Sequence, residues 1–237
     1  MRVIRAAIFD VFGTVVDWRE GVAACAREAF ALRGIETDPH AFADAWRAEY
    51  QPAMQRIRSG ERGYVQLDQL HLENLDRVLS AFGIAEHFDT AARLELNRAW
   101  EQLPPWPDSA PGIAAIRATG RLVAPCSNGS IALMSRLARY AGIEWDCILG
   151  ADVARAYKPD PLAYRRSVAA LRLDPAEVVM VAAHNGDLAA ARAEGLATAF
   201  VPRPSEQGEG QTSDLVPTAD WDFVADDMRA LAAWLAG

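Results

Sequence analysis

From about residue 104 onward, short apolar runs alternate with segments of helical periodicity, which restricts the chain to an α/β architecture. Arg121 to Cys126, Cys147 to Leu149, Val178 to Ala183 and Ala197 to Val201 read as strands. Val178 to Ala183 is apolar throughout, as a strand buried on both faces must be. Helices are expected from after Gly129 to Tyr140, over Asp160 to Leu171, over Asp187 to Ala193 with Gly195 as a stop, and over Ala219 to Ala236. Strand–helix alternation implies right-handed crossovers and a parallel sheet. One further strand, Ala6 to Phe9, stands near the N-terminus and ends in Asp10, and Gly13 permits a tight turn after it.

Residues 18 to 102 break the pattern. Leu67, Leu70, Leu75, Val78, Leu79 and Phe82 recur at helical spacing, and strand signals are nearly absent. The expected fold is a Rossmann-like core (1–17 and 103–237) interrupted by an all-helical cap (18–102). Pro104, Pro105 and Pro107 mark the return linker. A helical lid over strand ends excludes water from a site there. Pro202 to Pro217, rich in Pro, Gly, Ser, Gln and Glu, reads as an exposed loop.

Composition narrows the function classes. The 237 residues are 51% hydrophobic, enough for a sizeable core. The net charge of −8, with no basic cluster, argues against nucleic acid as a partner. Cys25, Cys126 and Cys147 are few, odd in number and widely spaced, so neither a disulfide framework nor a metal cluster is indicated, and a reducing cytoplasm fits. No charged-then-apolar leader is read, because the first apolar run is short and contains Asp10. No run approaches the roughly 18 apolar residues of a membrane span.

Four groups of polar residues fall at or just after strand ends: Asp10 with Thr14, Ser127 with Asn128, Lys158, and His184 with Asn185 and Asp187. Such ends converge on one crevice in an open parallel sheet. Singly, each has an ordinary reading: Ser127 as a helix N-cap, Lys158 as a surface lysine, Asp187 as a cap. Four together point to one site.

In that order and spacing these residues resemble the haloacid dehalogenase superfamily, and more narrowly the type II 2-haloacid dehalogenases. The shared stretches are Phe9-Asp10-Val11-Phe12-Gly13-Thr14, Trp46-Arg47, Ser127-Asn128-Gly129, and Tyr157-Lys158-Pro159-Asp160-Pro161 with Tyr164. The resemblance implies covalent catalysis. Asp10 attacks the carbon bearing the halogen and expels halide, and water then cleaves the aspartyl ester to give a 2-hydroxy acid. Lys158 keeps Asp10 ionised, Asp187 orients or activates the water, and Thr14 holds Asp10 in its attacking rotamer. Ser127 and Asn128 bind the substrate carboxylate or orient Lys158, and Tyr164 supports Lys158. Arg47 meets the halide or the carboxylate. Trp46 and Tyr50 are cap core or pocket wall, with Trp46 read as core. The implied partners are a small haloacid and halide, with no cofactor, and the apolar cap helices permit a homodimer.

Phe12 bears on the reaction type. Superfamily phosphatases place a general acid there, and a phenylalanine cannot donate a proton. The stretch Ala182-Ala183-His184-Asn185-Gly186-Asp187 offers one carboxylate, too few for a hard divalent cation. Halide leaves without protonation, so metal-free displacement fits better than phosphoryl transfer. A phosphatase or phosphonate hydrolase, a hydrolase of another activated carbon, and a non-catalytic binding protein remain the alternatives. This stretch also departs from the Ser-Ser-Asn-Ala-Trp-Asp of family members: Ala182 replaces the first Ser, His184 the Asn and Gly186 the Trp. His184, a donor whose ring titrates near neutral pH, is expected to help bind a small leaving group, fluoride included.

Overall fold

The computed structural model describes residues 3–237. Its centre is a six-stranded parallel sheet of order β3-β2-β1-β4-β5-β6. The strands are β1 (Ala6–Phe9), β2 (Leu122–Ser127), β3 (Leu149–Gly150), β4 (Val178–Ala182), β5 (Ala197–Phe200) and β6 (Phe223–Val224). Phe9 lies opposite Pro125 on one side and Val181 on the other, so β1 is central and Asp10 emerges at the middle of the sheet edge. The alternation of β1 sorts its side chains. Ala7 and Phe9 enter one apolar cluster and Ala6 and Ile8 the opposite one, all fully buried. Each buried Ile or Phe contributes roughly 1.5–3 kcal/mol.

Between β1 and β2 the elements are helical: α1 (Trp18–Ala31), α2 (Pro39–Ala48), α3 (Tyr50–Arg58), α4 (Leu67–Ala81), α5 (Thr90–Asn97) and α6 (Ser109–Ala118). Local chemistry starts them. Asp17 accepts from the Glu20 amide ahead of α1, and Asp38 accepts from His40 with Pro39 at the first helical position of α2. The chain leaves and returns at one point: the Asp17 amide donates to Pro104 O at 2.9 Å and Trp106 N to Val15 O at 3.0 Å. Trp46 is fully buried, and its indole donates to the His71 carbonyl.

After β2 come α7 (Ile131–Ala141), α8 (Ala151–Ala154), α9 (Pro161–Ala170), α10 (Asn185–Ala193) and α11 (Met228–Ala236). Three expectations need correction. The final helix begins at Met228, where Asp227 caps two amides, and not at Ala219; β6 precedes it. The N-cap of α7 is Ser130, whose hydroxyl accepts from Leu133 N at 3.0 Å; Ser127 still belongs to β2. The segment 202–217 is not simply an exposed loop, because Arg203, Glu206 and Gln211 are buried. Arg203 anchors it, donating to Thr14 O and, through both terminal nitrogens, to Asp108. Among the described residues no helix is long and apolar enough to cross a membrane.

Candidate active site

Asp10 follows β1 without a break, its amide donating to Val181 O as the next rung of the ladder. The turn at Gly13 (φ +89°) brings Thr14 back over it. Thr14 Oγ1 donates to Asp10 Oδ2 at 2.7 Å and accepts from the Ala183 amide at 2.9 Å, which fixes the carboxylate against the end of β4. Lys158, in the loop entering α9, sends Nζ to Asp10 Oδ1 at 2.9 Å and also to Asp187 Oδ2. Its own amide donates to Asn128 Oδ1 at 2.8 Å, so the residue after β2 sets the height of the lysine. Tyr164, on α9, donates its hydroxyl to Asp187 Oδ1.

Burial would raise the Asp10 pKa, but Lys158, His184 and Thr14 outweigh it and hold the carboxyl far below its ordinary range. Asp187 goes the other way. Burial and the nearby Asp10 charge raise it, against the opposing pull of Lys158 and Tyr164. Burial opposes the Lys158 charge, yet its two carboxylate partners keep the ammonium firmly protonated. Two carboxylates of divided pKa around one ammonium allow one to act as nucleophile while the other accepts a proton.

These groups open on a cavity of about 440 Å³ lined by Asp10, Phe12, Asn128, Lys158, Tyr164, His184 and Asp187, with Arg47 from α2 and Tyr50, Gln51, Gln55 and Arg58 from α3. Phe12 is buried against Trp100, edge to face at 5.7 Å. The Arg47 guanidinium lies 4.1 Å from the Tyr50 ring centre, 5.2 Å from Trp18 and 5.8 Å from Phe12. Its Nη1 is buried with no hydrogen-bond partner in the protein. A cation in an aromatic cage with an unspent donor suits an anion. Beside it His71, fully buried and stacked on Trp100 at 4.2 Å, is kept neutral by burial and by the Arg47 charge. Ser127 does not line the cavity; its buried hydroxyl accepts from the Gly129 amide at 3.1 Å.

His184 takes a position that sequence reasoning did not foresee. Nδ1 faces Asp10 Oδ2 at 3.0 Å and Nε2 faces Glu206 Oε2 at 2.9 Å. With both nitrogens engaged, neither is free for a halide, which is the physical objection to a leaving-group role. Glu206, only 3% exposed at its side chain, also accepts from Trp18 Nε1 at 2.9 Å. It lies against Gly13, where a built Cβ would fall 2.0 Å from Oε1. Nothing in the sequence around Glu206 marks it; the one oblique signal is the bare glycine in the Asp10 turn. Among the described residues no three His, Cys, Asp or Glu side chains form a metal-ligating cluster. The Lys158 ammonium lies on both carboxylates, Asp10 after β1 and Asp187 in the first turn of α10.

Comparison with known proteins agrees with this geometry. The model of the haloacid dehalogenase-like hydrolases matches residues 4–195. The chain belongs to that family. Within it, a crystal structure of a defluorinating L-2-haloacid dehalogenase superposes with a TM-score of 0.96 at 53% identity, over 99% of this chain and 96% of the other. A second L-2-haloacid dehalogenase structure gives 0.94 at 43% identity, over 98% and 99%. An (S)-2-haloacid dehalogenase of Pseudomonas sp. (strain CBS-3) is 29% identical over 87% of this chain and 88% of its own length. Haloacetate dehalogenase H-2 of Moraxella sp. (strain B) is 26% identical over 93% and 96%.

Proposed function

We propose that the chain is a hydrolase of carbon–halide bonds, converting a short 2-haloalkanoic acid to the 2-hydroxy acid through an ester on Asp10. The observation that carries this is the pairing of an ionised, triply held carboxylate with a caged, unsatisfied arginine across one small cavity. Helices from residues 18–102 act as the cap that supplies Arg47. An Asp10 oxygen displaces halide from C2, and the carbon–halogen electron pair leaves with the halide. Water then adds to the Asp10 carbonyl carbon. Asp187, the carboxylate of raised pKa, takes the water proton and passes it to the departing alkoxide. Asn128 sets Lys158, Tyr164 orients Asp187, and Arg47 with Arg58 attracts the anionic substrate. Haloacetates, fluoroacetate included, are within the size the cavity admits, and the relatives include both a defluorinating enzyme and a haloacetate dehalogenase.

Phosphoryl transfer is the weaker reading, because Phe12 is buried where a general acid is required and has no proton to give. A single turnover in ¹⁸O-water decides the route. Label is expected in the Asp10 peptide and absent from the first product; label in the first product means that water attacked the substrate carbon directly.

A further inference from the structure

We propose that His184 is a catalytic residue of ester hydrolysis, donating from Nδ1 to the oxyanion on Asp10 Oδ2, and that Glu206 is the positioning residue that keeps it a cationic donor. This rests on the aspartyl-ester reading above.

The two oxygens of Asp10 are treated differently. Oδ1 meets Lys158 alone, whereas Oδ2 is held by Thr14 at 2.7 Å and by His184 at 3.0 Å. Oδ1 therefore forms the bond to substrate C2, and Oδ2 becomes the ester carbonyl oxygen. When water adds to the carbonyl carbon, the C=O π pair moves onto Oδ2. Thr14 Oγ1 and His184 Nδ1 already point at that atom, which is the arrangement an oxyanion hole requires. On collapse the pair returns, the bond between the carbonyl carbon and Oδ1 breaks, and Oδ1 leaves with C2 as the product hydroxyl. The proton that Asp187 took from water goes to that oxygen, and the regenerated Asp10 loses its proton to solvent. His184 neither gains nor loses a proton.

An ionised donor makes a hydrogen bond about twice as strong as a neutral one. Ester formation removes the Asp10 charge that helps keep His184 protonated, so a second anion is needed. Glu206 supplies it from the buried side, 2.9 Å from Nε2. The charged groups near this pair are Asp10 after β1, Asp187 on α10 with His184 itself at its N-cap, Lys158 before α9, Arg47 on α2, Asp17 beside Glu206, and Asp214, which accepts from the Asn185 amide next to His184. Burial disfavours the imidazolium, but Asp10 and Glu206 prevail and raise its pKa well above the ordinary value.

Glu206→Gln tests this while keeping the acceptor for Trp18. By ¹⁵N NMR of the ring nitrogens, with His184→Ala identifying the signal, wild-type His184 is expected to stay protonated through neutral pH. In Glu206→Gln its pKa is expected to fall into or below the neutral range. In kinetics the variant is expected to retain its first-turnover halide burst and to accumulate the Asp10 ester by mass spectrometry. Its kcat is expected to fall roughly 10- to 100-fold with kcat/KM changed far less. A new loss of rate as pH rises through the lowered His184 pKa is expected as well. Unchanged His184 titration, or an unchanged kcat with no ester accumulation, overturns the inference. A wild-type enzyme that releases no halide from any 2-haloacid overturns the dehalogenase reading instead, and the NMR titration separates the two.

Discussion

Arg58 Nη1 donates to the backbone carbonyl of Lys158 at 3.1 Å, so a helix of the inserted segment touches the very residue whose ammonium holds Asp10. Its other nitrogens are held by Gln55 and Gln51, which leaves the guanidinium at the cavity rim without a carboxylate partner among the described residues. Arg58→Ala is expected to raise KM for short 2-haloacids several-fold and to lower kcat less, as steady-state halide release will show. Equal loss in both parameters for neutral and anionic substrates would place Arg58 outside substrate attraction.

Arg47→Lys keeps the charge but loses the flat face stacked on Tyr50. A fall in kcat/KM of roughly 10- to 100-fold is expected, with circular dichroism unchanged. A wild-type value would mean that the caged guanidinium does not meet the reacting anion.

Lys158→Met leaves Asp10 and Asp187 facing each other with no ammonium between them. Halide release is expected to drop by about 10³-fold or more, since one buried carboxylate must then hold a proton near neutral pH. Single-turnover halide assays on folded protein check it.

Acid pH is expected to stop the reaction through Asp187 and not through Asp10. Asp10 has a depressed pKa, so its charge persists as pH falls; Asp187 has a raised one, so it is the first of the two to be protonated. The acid limb of kcat should therefore lie above the ordinary aspartate value of 3.8. The Tyr164 hydroxyl lowers the Asp187 pKa, so Tyr164→Phe should move that limb to higher pH. A limb that stays in place refutes the assignment.

Arg203→Ala removes the fork that ties the 202–217 segment to Asp108 and Thr14 O. Losing one partner of a buried pair costs about 3–5 kcal/mol. Urea unfolding is the check, and a midpoint within error of wild type contradicts it.

The alternation of apolar runs and helical segments made the parallel sheet legible, because a doubly buried strand leaves a continuous apolar signature such as Val178–Ala182. Asp10, Lys158 and Asp187 were legible for a related reason: each follows a strand or opens a helix whose position periodicity gives. The end of the chain was less so. Ala219 to Asp227 contains Trp221, Phe223 and Val224, whose apolar character fits helix and edge strand alike, and hydrogen bonding to β5 decides it. Glu206 was invisible because its partners Trp18 and His184 are distant in sequence and its neighbours read as a solvated turn.

Gly13 has a reach beyond its own turn. A methyl group there would need the volume that the Glu206 carboxylate fills, on a backbone that L side chains rarely adopt. The opening loop and the late loop are thus mechanically interlocked: an acid behind the histidine is admissible only in a chain that is bare at the turn, and a search of related sequences for this second acid can begin by asking what stands at the glycine.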